Sequence, residues 1–313
     1  MHASTLLRSI FQGVSAIAPT LVVLAAGLGS RFGGDKQFTA LGPRGETLMD
    51  YAIFDAARAG VERAVLIVRP EALELLPALQ RRYGRALSVS AVAQRLDDLP
   101  SGIHLPTGRT RPWGTAHAIR SVREVVTGPF MVVNSDDFYG AQPYQALVDA
   151  SQADDGKVPT WHLAGFALRD TISPSGPVNR AVCRIAADGQ LMELDEVRGI
   201  HEEGDGVLRG GAPLQRVIAG DAVVSMNMWG LTAEIFDVIE SAFREFLTSA
   251  DLAGDEYFLP EAIAVAIAQG WRVKVLPAES QWCGVTFPED AAQVRTHLAM
   301  LAARGDYPSP LWP

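Results

Sequence analysis

Apolar positions along the first half of the chain alternate between short runs and helical spacings. Leu21 to Leu24 is a four-residue apolar run, the length of a buried strand. Leu48, Ala52, Ala56 and Ala59 fall on one helix face, which Gly60 closes. Ala64 to Val68 reads as strand, Glu71 to Tyr83 as a helix interrupted by Pro77, and Leu87 to Ala93 as strand. A helix over Thr115 to Val126, a strand over Phe130 to Val133 and a helix over Tyr144 to Gln152 continue the series. This alternation predicts an α/β fold. It is a three-layer, Rossmann-like α/β/α arrangement with a mixed, mainly parallel central sheet.

After residue 155 the pattern changes. Trp161 to Leu168, Ala181 to Ala186, Val223 to Trp229 and Trp271 to Leu276 read as strands. Helices are expected over Ala233 to Leu247, Phe258 to Gln269 and Glu289 to Ala303. Thr286 and Glu289 have the spacing of a capping box, and Gly305 can end the last helix. Gly204 to Gly211 is the best candidate for a mobile loop, and no internal repeat or low-complexity tract is present. The second half is expected to continue the same sheet. Residues 1–18 read as an extension, 19–305 as one domain with halves at 19–155 and 156–305, and 306–313 as a tail.

Hydrophobic content of 48% and charged content of 20% describe an ordinary globular chain of 313 residues. A net charge of −9 argues against a nucleic-acid partner, which needs a basic face to displace counterions. Cys183 and Cys283 form no metal-ligand spacing and no disulfide framework, so a reducing, cytoplasmic location is expected. No run reaches the roughly 18 apolar residues of a membrane span. Residues 2–18 make a poor signal peptide. A homo-oligomer is compatible with all of this.

The chemistry gathers behind the first strand. Ala26, Gly27 and Gly29, with Gly33 and Gly34, let the backbone turn tightly and approach a ligand. Arg31 and Lys36 place two cations in the same loop, which makes it a polyphosphate cradle. The dinucleotide pattern GxGxxG would need glycine where Phe32 stands. The phosphate-loop pattern fails because Lys36 lies between Asp35 and Gln37. Gln94 and Asp136 fall at the carboxyl ends of later strands, where ligands collect in such sheets. An Asp136-Asp137 pair suits a divalent cation or, equally, a capped turn. Gly114-Thr115 is on the plainer reading a helix start with Thr as N-cap. His117 reads as a packed or hydrogen-bonded residue. Asp97-Asp98 and His201-Glu202-Glu203 read as solvated loop charges, and Met226, Met228 and Trp229 as core or pocket wall.

The loop LAAGLGSRFGGDK resembles the first loop of the sugar-phosphate nucleotidyltransferases, and GTAHA at 114–118 and VVNSDDF at 132–138 resemble further family segments. The resemblance spans roughly residues 20 to 300. It implies the nucleotidyltransferase fold, shared in outline with glycosyltransferase-A enzymes, and transfer of UMP from UTP to a hexose 1-phosphate with release of pyrophosphate. On that reading Arg31 and Lys36 are catalytic and Asp136 holds Mg²⁺. Ala26, Gly27, Gly29, Gln94, Gly114 and Thr115 bind the nucleotide. A side-chain amide at Gln94 offers donor and acceptor to the base. Asn179, Glu196 and Asn227 fall near positions that bond sugar hydroxyls, although Asn179 also suits a turn and Glu196 a solvated strand edge, and Arg180 is a lesser candidate for the sugar phosphate. The chain departs from many relatives where Gly284, in WCGVTFP, stands in place of a second metal-binding Asp. Lys36-Gln37 also suits a cytidylyltransferase of a polyol or terpenoid phosphate. A metal-dependent glycosyltransferase or a non-catalytic nucleotide-binding regulator would fit the same residues.

Overall fold

The computed structural model describes residues 18–27, 39–153, 159–204, 206–211 and 215–312. β1 (Thr20–Ala25), β2 (Arg63–Val68), β3 (Ser88–Ala93) and β4 (Phe130–Asn134) are parallel, in the spatial order β4-β1-β2-β3. Their residues divide by parity, as a strand buried on both faces requires. Leu21 and Val23 join one core and Val22 the other. The first core lies under α1 (Leu48–Arg58), α2 (Leu76–Tyr83) and α4 (Ala141–Ala153). The second lies under α3 (Thr115–Arg120), α5 (Ile235–Ser249) and α6 (Leu259–Ala268). The three-layer architecture with a mixed sheet is therefore as predicted.

α1 starts at a full capping box. Asp50 N–H donates to Thr47 Oγ1 at 3.2 Å, and Thr47 N–H donates to Asp50 Oδ2 at 2.6 Å. Pro77 sits at the start of α2 rather than inside it, after a 3₁₀ segment over Pro70–Leu75.

The second half adds β6 (Thr160–Ala167), β7 (Val178–Ile185), β8 (Leu191–Glu202), β9 (Leu208–Gly210), β10 (Arg216–Ile218), β11 (Val223–Leu231) and β12 (Arg272–Pro277). The spatial order β10-β9-β8-β7-β11-β4 makes one continuous sheet with the first half. β11 is the seam. One of its edges pairs with β6, while the other pairs with β7 through Val224 and Ser225 and with β4 through Trp229 to Leu231. The register breaks between Ser225 and Trp229, and Asn227 there adopts φ 63°, the left-handed region. A two-stranded ribbon of β5 (Asp137–Phe138) and β13 (Cys283–Gly284), and the final helix α7 (Asp290–Ala303), complete the molecule.

Several expectations need correcting. β8 runs for twelve residues, well beyond the strand edge expected at Glu196. Gly204 to Gly211 is partly strand, since β9 pairs with both β8 and β10. His201 and Glu202 end β8 rather than lying in a loop. α3 stops at Arg120, and tighter i→i+3 bonds such as Val122 N–H to Ile119 O carry the chain onward. α7 is not capped by Thr286 and Glu289. Asp290 Oδ2 accepts from Thr286 N–H at 3.0 Å and Phe287 N–H at 2.8 Å instead. Residues 306–312 are anchored through Tyr307, Leu311 and Trp312. Tyr307 donates to Asp55 Oδ2 at 2.7 Å, Leu311 N–H donates to Glu46 Oε1, and Trp312 makes edge contacts with Phe54 and Tyr83.

Candidate functional site

Two adjoining cavities open at the carboxyl ends of β1, β3 and β4. The smaller, about 250 Å³, is lined by Leu24, Ala26, Gly27, Gln94, Gly114 and Thr115, among others. The larger, about 1100 Å³, takes in Asp136, Asp137, Asn179, Glu196, Asn227 and Trp282. Arg111, Thr115 and Glu256 line both, so the two cavities meet at the start of α3. Every described residue singled out from the sequence as a site residue lines one of these cavities. Gly29, Arg31 and Lys36 lie outside the described residues.

The junction is built by close backbone approach. Gly114 has φ 94° and ψ −177°, a conformation essentially confined to glycine. A Cβ at that position would overlap the Tyr257 carbonyl oxygen and sit 2.8 Å from the Tyr257 nitrogen. Tyr257 N–H donates to Trp113 O at 2.7 Å, Ala116 N–H donates to Tyr257 O at 3.1 Å, and Leu259 N–H donates to Thr115 Oγ1 at 2.9 Å. Thr115 is therefore not the N-cap of α3; Gly114 is. Arg109, missed in the sequence, staples this junction from behind. Its buried guanidinium lies over the Trp113 ring and donates to the carbonyls of Arg111, Pro112, Leu252 and Asp255.

Gln94 is buried at the end of β3, and its amide is largely committed. Nε2 donates to Gly114 O at 3.0 Å and lies 3.1 Å from His117 Nδ1. His117 Nε2 lies 2.9 Å from Asp98 O. Burial of the imidazole pushes its pKa down to about 4, so the ring is neutral at physiological pH. His117 is thus structural, as expected. Asp98 is not merely solvated, because its carboxylate accepts from Arg120 at 2.7 Å and Arg123 at 2.9 Å.

The larger cavity is organised by a run of amides. Trp229 Nε1–H donates to Asn227 Oδ1 at 3.2 Å, Asn227 Nδ2 to Asn134 Oδ1 at 3.1 Å, and Asn134 Nδ2 to Asp137 Oδ2 at 2.8 Å. The left-handed turn at Asn227 aims this relay, and Asn has the side chain that best tolerates that conformation. Asp136, partly buried, stands one residue before the oriented Asp137. Asn179 Oδ1 accepts from Gly199 N–H at 3.0 Å, bridging β7 to β8. Glu196 faces the cleft from β8. The cleft walls raise its carboxyl pKa above the ordinary value, although its surface stays open to solvent. Arg180 does not present a free guanidinium to this cleft. It donates to Thr171 O, Thr171 Oγ1 and Asn179 O and packs over the Trp282 ring at 5.3 Å.

Gly284 has a physical reason. It pairs with Asp137 across the β5–β13 ribbon, and a Cβ there would lie 2.5 Å from Asp137 Oδ1 and 2.5 Å from Trp282 Cζ2. The space that a residue-284 side chain would need is held by the Asp137 carboxylate. Among the described residues, no group of three or more His, Cys, Asp or Glu side chains converges as a metal cage. Asp136 and Asp137 at the end of β4 are the carboxylates that would hold Mg²⁺, which takes one or two from the protein and otherwise substrate oxygens and water. No described helix is long and apolar enough to cross a membrane.

Residues 21–160 match the family model of the MobA-like NTP transferase domain. No curated protein matches the sequence significantly. Among solved structures, an inositol-1-phosphate CTP transferase from T. maritima aligns with a TM-score of 0.62 at 16% identity, over 90% of this chain and 96% of that one. HddC from Yersinia pseudotuberculosis aligns with a TM-score of 0.53 at 15% identity, over 89% of this chain and 99% of that one. At such identities the two structures speak for the fold. The match over residues 21–160 supports the sugar-phosphate nucleotidyltransferase family that the loop sequence resembles.

Proposed function

We propose that this protein transfers the nucleotidyl group of a pyrimidine nucleoside triphosphate to a sugar or polyol phosphate. The observation that carries the reading is the pair of joined cavities, one at Gln94 and Gly114 and one at Asp136 and Asn227, meeting at the start of α3. The smaller takes the base and the larger takes the acceptor. The reaction centre lies where they meet. An acceptor phosphate oxygen attacks the α-phosphorus, the bond to the β-phosphate oxygen breaks, and pyrophosphate leaves. That nucleophile is already ionised at neutral pH, so no strong general base is required, and catalysis is positioning plus electrostatics.

On this reading Arg31 holds the triphosphate and the departing pyrophosphate, and Lys36 neutralises charge between the two reacting phosphates. Asp136, with Asp137 beside it, would hold Mg²⁺, which when bound supplies further positive charge to the phosphate oxygens. Asn179, Glu196 and Asn227 face the acceptor's hydroxyls. UTP with a hexose 1-phosphate is the pairing the sequence favours. CTP is the second reading, because the structural neighbour from T. maritima is an inositol-1-phosphate CTP transferase.

The test is pyrophosphate release across four nucleoside triphosphates and a panel of sugar and polyol phosphates, with and without Mg²⁺. One pyrimidine triphosphate with one phosphorylated acceptor should stand out. Lys36→Ala should lower that turnover about 10²–10³-fold, the cost of one preorganised transition-state donor. Turnover of a nucleotide sugar without pyrophosphate release from any triphosphate would replace the reading with a glycosyltransferase.

A further inference from the structure

We infer that Arg111 is a further phosphate-binding residue of the nucleotide site, and that Glu256 is the partner it leaves when a triphosphate enters. The inference rests on the nucleotidyltransferase reading above and names the cation that meets the phosphates where the two cavities join.

Of the arginines and lysines among the described residues, only Arg111 lines both joined cavities, while Arg180 and Arg198 line the larger one. The Arg111 backbone is fixed. Arg109 Nε donates to the Arg111 carbonyl at 3.0 Å and Arg109 Nη2 to the Pro112 carbonyl at 2.8 Å. Pro112 also holds the residue before it extended. The Arg111 side chain is not fixed. Its one ion pair among the described residues is with Glu256 at 3.9 Å, beyond hydrogen-bond reach, and 59% of the side chain is exposed. Glu256 lines both cavities too, and stands beside Tyr257, whose backbone is clasped to Trp113 and Ala116. Two anchored backbones thus face each other across the opening, and only the side chains are left to move.

The pair is easily exchanged. An exposed ion pair at such a distance contributes little, whereas a phosphate accepts two parallel N–H bonds from a guanidinium fork. Ribose and α-phosphate link a base in the smaller cavity to the acceptor in the larger, so the phosphates begin at this opening. When Arg111 turns to them, the Glu256 carboxylate is not stranded. Burial lowers the Arg109 pKa, and the nearby Glu256 charge is the strongest pull in the other direction, so Arg109 and Glu256 remain electrostatic partners. Arg180 cannot take the same part, because its donors are spent on Thr171 and Asn179.

The experiment is calorimetric titration of the full chain with UTP and CTP in the presence of Mg²⁺, with the matching nucleosides as competitors. Arg111→Gln should weaken the better triphosphate about 10–100-fold, the effect of losing hydrogen bonds to a charged group, and leave its nucleoside unaffected. Glu256→Gln should act in the opposite direction, tightening the triphosphate about 3–10-fold because Arg111 loses its competing partner. With both substitutions together that gain should vanish, and the affinity should match Arg111→Gln alone. Arg111→Lys, which keeps the charge and loses the fork, should fall between wild type and Arg111→Gln, and serves as the second variant if the Gln protein does not fold. Normal triphosphate affinity in Arg111→Gln overturns the inference. Equal weakening of the nucleoside also overturns it, since Arg111 would then hold base or ribose. Unchanged or weaker triphosphate binding in Glu256→Gln overturns the exchange and leaves the pair a structural link. Failure of every triphosphate to bind wild type and to release pyrophosphate would instead bring down the nucleotidyltransferase reading itself.

Discussion

Gly114→Ala is the most demanding test of how the two cavities are joined. The residue occupies φ 94°, ψ −177°, and a side chain there costs about 1–3 kcal/mol in backbone strain alone. The added Cβ would also run into backbone atoms of Tyr257, which have no rotamer with which to retreat. Relief requires the 113–116 and 257–259 segments to part. That breaks Tyr257 N–H to Trp113 O and Ala116 N–H to Tyr257 O, worth about 1 kcal/mol each. The total comes to about 3–5 kcal/mol, or about 5–8 °C in Tm for a chain of this size. Calorimetric melting reads the loss directly, and triphosphate affinity should fall with it because Thr115 lines both cavities. Gly128→Ala is the control, since a Cβ there meets nothing within 4 Å. A Gly114→Ala protein melting within about 2 °C of wild type, with normal nucleotide affinity, would refute the account of the junction.

Two further outcomes follow from the packing. Gly284→Ala sets a methyl group against the Asp137 carboxylate and Trp282 and should cost about 1–3 kcal/mol by thermal melting; an unchanged Tm would show that Asp137 does not occupy that space. Asp55 is buried, and burial pushes its pKa up to about 7 from an ordinary 3.8, against the opposing pull of Arg58 and the Tyr307 hydroxyl. The folded state therefore holds this proton more tightly than the unfolded one. Stability from this group is greatest below about pH 4, is lost as pH rises toward 7, and amounts to about 4 kcal/mol. Asp55→Asn should flatten the fall in Tm between pH 5 and pH 8, and equal pH profiles for the two proteins would contradict the burial argument.

Much of the first half was legible because β1, β2 and β4 are almost wholly buried and α1 and α2 run out at Gly60 and Gly84. Leu21 to Leu24 and Ala64 to Val68 needed no partner to be recognised. β8 was not legible because it is a sheet strand with one solvated face. Glu193, Asp195, Glu196 and Arg198 dominate its composition, and only Leu191, Val197 and Ile200 are buried. The β9–β10 hairpin pairs through backbone bonds that leave no hydrophobic signature in six residues. At the site, residue types were readable but their commitments were not. Gln94 looked like a two-way reader until Gly114 O and His117 Nδ1 were seen to take its hydrogens. Arg180 looked like a phosphate ligand until its donors were found on Thr171 and Asn179. Arg109 and Tyr257 gave no local signal, because what they do depends on segments over a hundred residues away.

The forked seam at β11 also bears on how this protein admits its substrates. The two halves of the chain are woven into one hydrogen-bonded fabric, with the same strand laced to β4, β6 and β7. A clamshell closing one half upon the other would have to tear that fabric at Trp229 and Ser225. Acceptor preference can then change by remodelling the β7–β10 ribbon, while the strand that aims Asn227 keeps its register.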